Sequence, residues 1–220
     1  VSRRKAFLKR HGLKCFGACV RGVVDGFASA AEIAEMLRLS PPEPQPPAHS
    51  SIDSWRWETP SHLPLFASLV ARAQRVLEER FGVEHLRFYR SNMIVWRARS
   101  PLDGTAAAAA VPPSEWPSIG AAPWVPRALH GDTNTDEMFI YTTILYLTQH
   151  GIDGVGGETG IADAVGPGGR VDAGLRVQPA VGRLLVFSSG VENMHEMLPL
   201  THGRRVAIQM WSAPRVESSR

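Results

Sequence analysis

Two rhythms of apolar residues divide the chain. Before Gly82 the spacing is helical in two places. Ser29-Ala-Ala-Glu32 has the reciprocal Ser/Glu spacing of a capping box, and Ile33, Met36 and Leu37 follow at helical intervals. This helix should stop near Leu39, because Pro41 and Pro42 come next. A second helix is predicted from about Pro64 to Arg80, with Leu65, Leu69, Ala73, Val76 and Leu77 on one stripe and proline tolerated in the first turn. Cys19 to Asp25 reads as a short strand, and the proline-rich Pro41–Ser51 as a loop or extended linker.

After Gly82 the pattern shortens into β-rich runs separated by Gly, Pro and Asp. The predicted strands are Leu86–Tyr89, Met93–Arg97, Ala128–His130, Ile140–Leu147, Leu175–Val177, Arg183–Phe187 and Arg205–Trp211. Many short strands at loop-bounded intervals suggest a sandwich or jelly roll. The expected class is therefore mainly β with flanking helices. Residues 1–82 would form a helical support packed on a core spanning 83–214, the whole making one structural domain. Gly104 to Trp124, with a run of five alanines, interrupts the strands. An insertion of this length is either a functional lid or a floppy segment.

Composition narrows the class without changing this picture. The chain has 220 residues, 44% hydrophobic and 20% charged, which places it among soluble globular proteins. No run approaches the ~18 consecutive apolar residues of a membrane helix. It begins with Val and is read as trimmed, so intracellular and secretory-lumen locations both stay open. The net charge is only +3, and the one dense basic patch (Arg3, Arg4, Lys5, Lys9, Arg10, Lys14, Arg21) has no interleaved aromatics. It reads as a solvated tail rather than a nucleic-acid surface. Cys15 and Cys19 have no nearby Cys or His pair, so they suit neither zinc nor a disulfide framework and read as free thiols.

The chemistry lies in an ordered set: His130-Gly131-Asp132, then His195, then Arg205. Two imidazoles and a carboxylate form the ligand set of a facial iron(II) site, leaving about three octahedral positions open. If the strand before Asp132 continues, His130 and Asp132 point to one face. His195 would reach the same metal from a distant segment. Arg205, Ala207, Gln209 and Trp211 share one face of the last strand. If that face looks inward, the Arg205 guanidinium is buried and requires a carboxylate partner. Thr142 and Tyr146, also on one face, could donate hydroxyl hydrogen bonds to the same carboxylate. Gly156-Gly157 reads as a tight turn that excludes Cβ atoms, Glu158 and Glu196 as surface residues, and Asn193 as a residue that could orient the His195 loop.

From about His85 to Trp211 the chain resembles the 2-oxoglutarate and iron(II)-dependent oxygenases of the prolyl 4-hydroxylase type. The resemblance is carried by His130-Gly-Asp132, Tyr141-Thr-Thr-Ile-Leu-Tyr-Leu147, Gly156-Gly-Glu-Thr159, Val177-Gln-Pro-Ala-Val-Gly-Arg183, Leu184-Leu-Val-Phe-Ser-Ser-Gly-Val-Glu-Asn-Met-His195 and Pro199-x3-Gly203-Arg-Arg205. The segment Phe-Ser-Ser-Gly-x-Glu-Asn-x-His is most similar to the eukaryotic branch named only for its oxygenase domain. The resemblance implies a double-stranded β-helix (jelly-roll, cupin-like) core with N-terminal supporting helices. It implies His130, Asp132 and His195 as iron ligands and Arg205 as the clamp for the distal carboxylate of 2-oxoglutarate, where many collagen-type relatives carry Lys. Tyr146, Thr142 and Trp211 match cosubstrate-contact or site-lining positions, and ascorbate is a further cofactor it admits. The implied reaction hydroxylates a C–H bond, with a prolyl residue of a protein or peptide as substrate and succinate and CO2 released. A small molecule or nucleobase substrate, or an inactive binding module, are the alternatives.

Overall fold

The computed structural model describes residues 21–40, 48–53, 63–98, 129–165 and 171–215. Cys15, Cys19, most of the basic patch, Ala128 and the Gly104–Trp124 insertion lie outside the described residues. Among those described, no helix is long and apolar enough to cross a membrane.

The first helix, α1 (Ala30–Arg38), starts where its capping box predicts. The Ser29 hydroxyl accepts from the Glu32 N–H at 3.3 Å, and the Glu32 carboxylate accepts from the Ser29 N–H at 2.8 Å. The second helix, α2 (Leu63–Phe81), buries Phe66, Leu69, Val70, Ala73, Leu77 and Phe81. Its apolar stripe is wider than the predicted one and leaves Leu65 and Val76 only partly buried. Both helices pack against Met93, Val95, Leu145, Leu184, Val186, Val206 and Ile208 in one cluster.

Those residues come from alternate positions of a seven-stranded sheet. Its strands are β1 (Arg21–Val24), β2 (Ala48–Asp53), β3 (Leu86–Arg97), β4 (Tyr141–Tyr146), β5 (Gly154–Gly156), β8 (Leu184–Ser188) and β10 (Leu200–Pro214). The order is β1-β8-β4-β10-β3-β2, with β5 paired to the start of β10. A second sheet, in the order β7-β6-β9, comprises β6 (Thr159–Val165), β7 (Val171–Val177) and β9 (His195–Met197). Ile161 and Val177 of this small sheet pack on Ile144, Tyr146, Leu185, Phe187 and Ala207 of the large one. The result is the predicted mainly β class, two packed sheets with helices on the outer face of the larger.

The structure differs from the sequence reading in several places. Leu86–Tyr89 and Met93–Arg97 are parts of one strand, which pairs along its length with β10. Ala48–Asp53, expected as loop up to Ser51, is a strand on β3. Three short strands, β5, β6 and β9, were not expected. β6 carries Gly160, Ala162, Asp163 and Ala164, which have weak strand preference, and it is held by pairing on both sides.

Candidate metal centre

His130 and His195 are joined by a reciprocal backbone pair: the His130 N–H donates to the His195 carbonyl at 3.0 Å, and the His195 N–H to the His130 carbonyl at 2.8 Å. This isolated antiparallel bridge sets the two rings 4.5 Å apart, centroid to centroid. The strand does not continue to Asp132. That residue opens a 3-10 turn, Asp132–Asn134, so its convergence with His130 comes from the turn and not from strand alternation. Asp, Thr and Asn are turn formers, which explains the break. Gly131 permits the approach: a Cβ there would lie 3.1 Å from the Gly190 carbonyl.

The buried Asp132 carboxylate divides its two oxygens. Oδ2 accepts from the Thr142 hydroxyl at 2.7 Å and from the Trp211 indole N–H at 3.0 Å. Oδ1 faces His130 Nε2 at 3.5 Å and His195 Nε2 at 3.6 Å. Burial pushes the Asp132 pKa up. The bond from His130, the charge of His195 and the bonds from Thr142 and Trp211 outweigh this, holding the carboxyl well below its ordinary range. His195 Nδ1 lies 3.0 Å from the Asn193 carbonyl oxygen, which can only accept. The proton of the neutral ring therefore sits on Nδ1, and the Nε2 lone pair is directed at Asp132 and His130. Asn193 is buried and donates to the Ser188 carbonyl at 3.1 Å, so it braces the turn before His195 as expected. Phe187 closes against the His195 ring at 4.7 Å. Phe139 stacks on Trp211 at 4.4 Å and 11°.

One ligand atom each from His130, Asp132 and His195 lies within 4.8 Å of the other two. These borderline-to-hard donors, with no thiolate, fit a divalent ion such as Fe(II). The geometry brings together the three residues singled out from the sequence.

Arg205 is buried at 4% exposure, while Arg204 beside it is half-buried, as their alternation on β10 requires. Its guanidinium lies 5.2 Å from the centre of the Tyr146 ring, and Nη2 donates a long bond of 3.4 Å to Thr159. Its Nε is buried with no hydrogen-bond partner. A fixed, buried cation with spare donors fits an incoming carboxylate. Burial lowers the pKa of Arg205, and the charges of Tyr146 and Glu158 partly oppose this. Thr142 and Tyr146 do share a face, but their partners differ. Thr142 holds Asp132, and the Tyr146 hydroxyl is bonded to Thr159 at 2.6 Å. Gly156 and Gly157 both have positive φ, and a Cβ at Gly156 would strike the Pro199 carbonyl. The expected surface positions of Glu158 and Glu196 are corrected: they are 1% and 5% exposed. Glu196 lies in β9 of the small sheet, and Glu158 immediately precedes β6. Thr159, Phe139 and Ser189, whose hydroxyl lies 2.6 Å from that of Thr142, were missed, since nothing local marks a residue whose role is set by a cross-strand partner.

Residues 127–213 match the model of the 2OG-Fe(II) oxygenase superfamily. Two curated relatives agree. Over 36 residues the chain is 56% identical to prolyl 3-hydroxylase 3 of Homo sapiens, covering 16% of this chain and 5% of that protein. Over 79 residues it is 37% identical to 2-oxoglutarate and iron-dependent oxygenase domain-containing protein 3 of Xenopus tropicalis, covering 36% and 23%. The chain thus spans less than a quarter of either relative. Among solved structures it is similar to a 2OG-Fe(II) oxygenase-family oxidoreductase from Burkholderia pseudomallei, with TM-score 0.57, 16% identity and coverage of 99% of this chain and 91% of the other. It is also similar to a prolyl hydroxylase from Trichoplax adhaerens in complex with a hypoxia inducible factor peptide fragment, with TM-score 0.54, 16% identity and coverage of 89% and 84%. These likenesses show a shared jelly-roll fold.

Proposed function

We propose that the chain is an Fe(II)- and 2-oxoglutarate-dependent dioxygenase that hydroxylates a prolyl C–H bond in a protein or peptide, releasing succinate and CO2. The observation that carries this reading is the convergence of Asp132 Oδ1 with the Nε2 atoms of His130 and His195. His130, Asp132 and His195 would hold the iron. When bound, iron, 2-oxoglutarate and dioxygen supply the oxidative chemistry, with ascorbate as an auxiliary reductant.

The chain's own residues do the rest. Thr142 and Trp211 fix one oxygen of Asp132, which leaves the other aimed at the metal and keeps the carboxyl ionised. Asn193 sets the tautomer of His195. Arg205 takes the distal carboxylate of 2-oxoglutarate, with Tyr146 and Thr159 holding the guanidinium in place. Thr142 and Trp211 thereby serve the cosubstrate through Asp132. A peptide substrate is supported by the similar structure that holds a peptide fragment and by the relative named a prolyl 3-hydroxylase.

The test supplies Fe(II), 2-oxoglutarate and proline-containing peptides, following succinate by NMR and one added oxygen on proline by mass spectrometry. Asp132→Ala should abolish succinate release and weaken divalent-metal binding; unchanged turnover would refute the metal assignment. Succinate release with every peptide unmodified would move the substrate to another class.

A further inference from the structure

The inner face of the large sheet carries two amide side chains that brace neither Asp132 nor Arg205. β10 is buried from Arg205 through Pro214 except at Gln209, and β3 is buried from Ser91 through Trp96 except at Asn92. The two breaks coincide. Gln209 and Asn92 are direct cross-strand partners, with Ile144 of β4 on the other side of Gln209. Residues paired in this way hold their Cβ atoms about 5 Å apart. Asn92 shares its face with Ile94 and Trp96, and Gln209 with Arg205, Ala207 and Trp211, so both look away from the helices and into the interior. Their row lies one pleat, about 7 Å along the strands, from the row of Trp211 and Thr142, whose side chains hold Asp132. The residues are half-buried, yet Asn92 Oδ1 and Gln209 Oε1 are themselves covered. Among the described residues neither oxygen has a hydrogen-bond partner, not even the other amide. A covered carbonyl oxygen without a donor is costly, and here two stand side by side. Ile94, Ala207 and Ile144 around them are apolar and buried. An apolar wall with a few convergent polar groups is the make-up of a ligand site.

We propose that Asn92 and Gln209 are specificity-determining residues whose side-chain oxygens accept from a backbone N–H of the substrate peptide. The inference rests on the reading of the chain as a peptide hydroxylase. A prolyl nitrogen carries no hydrogen, so the donor belongs to a residue beside the target proline. The pair fixes that residue one pleat from the metal ligands and so sets which part of the peptide faces them. A site built to meet a donor rejects an analogue lacking it far more strongly than a site that only fills space. A second proline at the contacted position has no N–H to give and should be discriminated against.

The probe is the proline-containing peptide that wild type turns over fastest. It is compared with an ester series in which each backbone N–H beside the proline is replaced in turn by oxygen. Binding is measured calorimetrically to protein loaded with Zn(II) and 2-oxoglutarate, for wild type and for Asn92→Leu combined with Gln209→Met. One ester should bind wild type at least about tenfold more weakly than the amide peptide. The double variant should bind that ester and the amide alike, a comparison that cancels any other effect of the ester. Its Zn(II) affinity and its KM for 2-oxoglutarate should stay unchanged. Equal binding of the amide and every ester by wild type overturns the proposal, whether or not the variant folds. A folded variant that still prefers the amide overturns it too. So does one that loses 2-oxoglutarate affinity while its peptide affinity is intact, which would assign the amides to the cosubstrate. Wild type that hydroxylates no peptide overturns the peptide-hydroxylase reading and this inference together, whereas peptide turnover with every ester tolerated overturns this inference alone.

Discussion

The two faces of the large sheet are built from the same strands and differ in almost every chemical respect. Toward the helices, β10 presents Val206, Ile208 and Met210, and β4 presents Tyr141 and Leu145, all within one apolar cluster. On the opposite face the same strands present Arg205, Ala207, Gln209 and Trp211, and Thr142, Ile144 and Tyr146, including every polar group that braces Asp132 or Arg205 from these strands. Because side chains alternate with a period of two, one strand can carry packing on one side and chemistry on the other. The helix-facing side is redundant, with many apolar contacts sharing the load. The inward side is not, since each polar group has one or two partners at fixed distances. Damage should therefore appear as lost stability on one face and lost ligand affinity on the other.

The largest effect that would sharpen this contrast is at Arg205. Arg205→Ala should raise the 2-oxoglutarate requirement about a hundredfold, as expected for removing one partner of a buried charge pair. Turnover across a 2-oxoglutarate titration checks it, and equal turnover would count against the clamp. Next is Ile208→Ala, one residue beyond Ala207 and on the other face. It should lower unfolding free energy by about 2–5 kcal/mol in a denaturant titration. The folded fraction should keep its KM for 2-oxoglutarate; a large change in that KM would break the separation of faces. Smallest is Trp211→Phe, which keeps a ring for Phe139 to stack on and removes one donor to Asp132. Divalent-metal affinity should fall about tenfold, the lower end for loss of a ligand's supporting hydrogen bond. Metal titration at equal folded concentration would show it.

The parts of this contrast that were legible in the sequence are those governed by local rules. The capping box at Ser29 fixed the start of α1, and even spacing put Arg205 and Trp211 on one face. The residues of the candidate metal centre were legible as an ordered set. How they converge was not, because a turn at Asp132 and a single bridge between His130 and His195 leave no periodic trace. Likewise β9 has three residues, too few to show alternation, and β6 depends on neighbours on both sides. Glu158 and Glu196 misled because burial of a charge is decided by distant partners, here His150 for the first.

The reciprocal bridge between His130 and His195 also bears on how the protein holds together. His130 and Asp132 lie on one segment and His195 on another far along the chain, so a cation held as proposed would tie the two together. An ion seated there would then act as a clasp across a long loop, slowing its reopening. If the proposed site binds a divalent ion, its removal should lower the thermal unfolding midpoint.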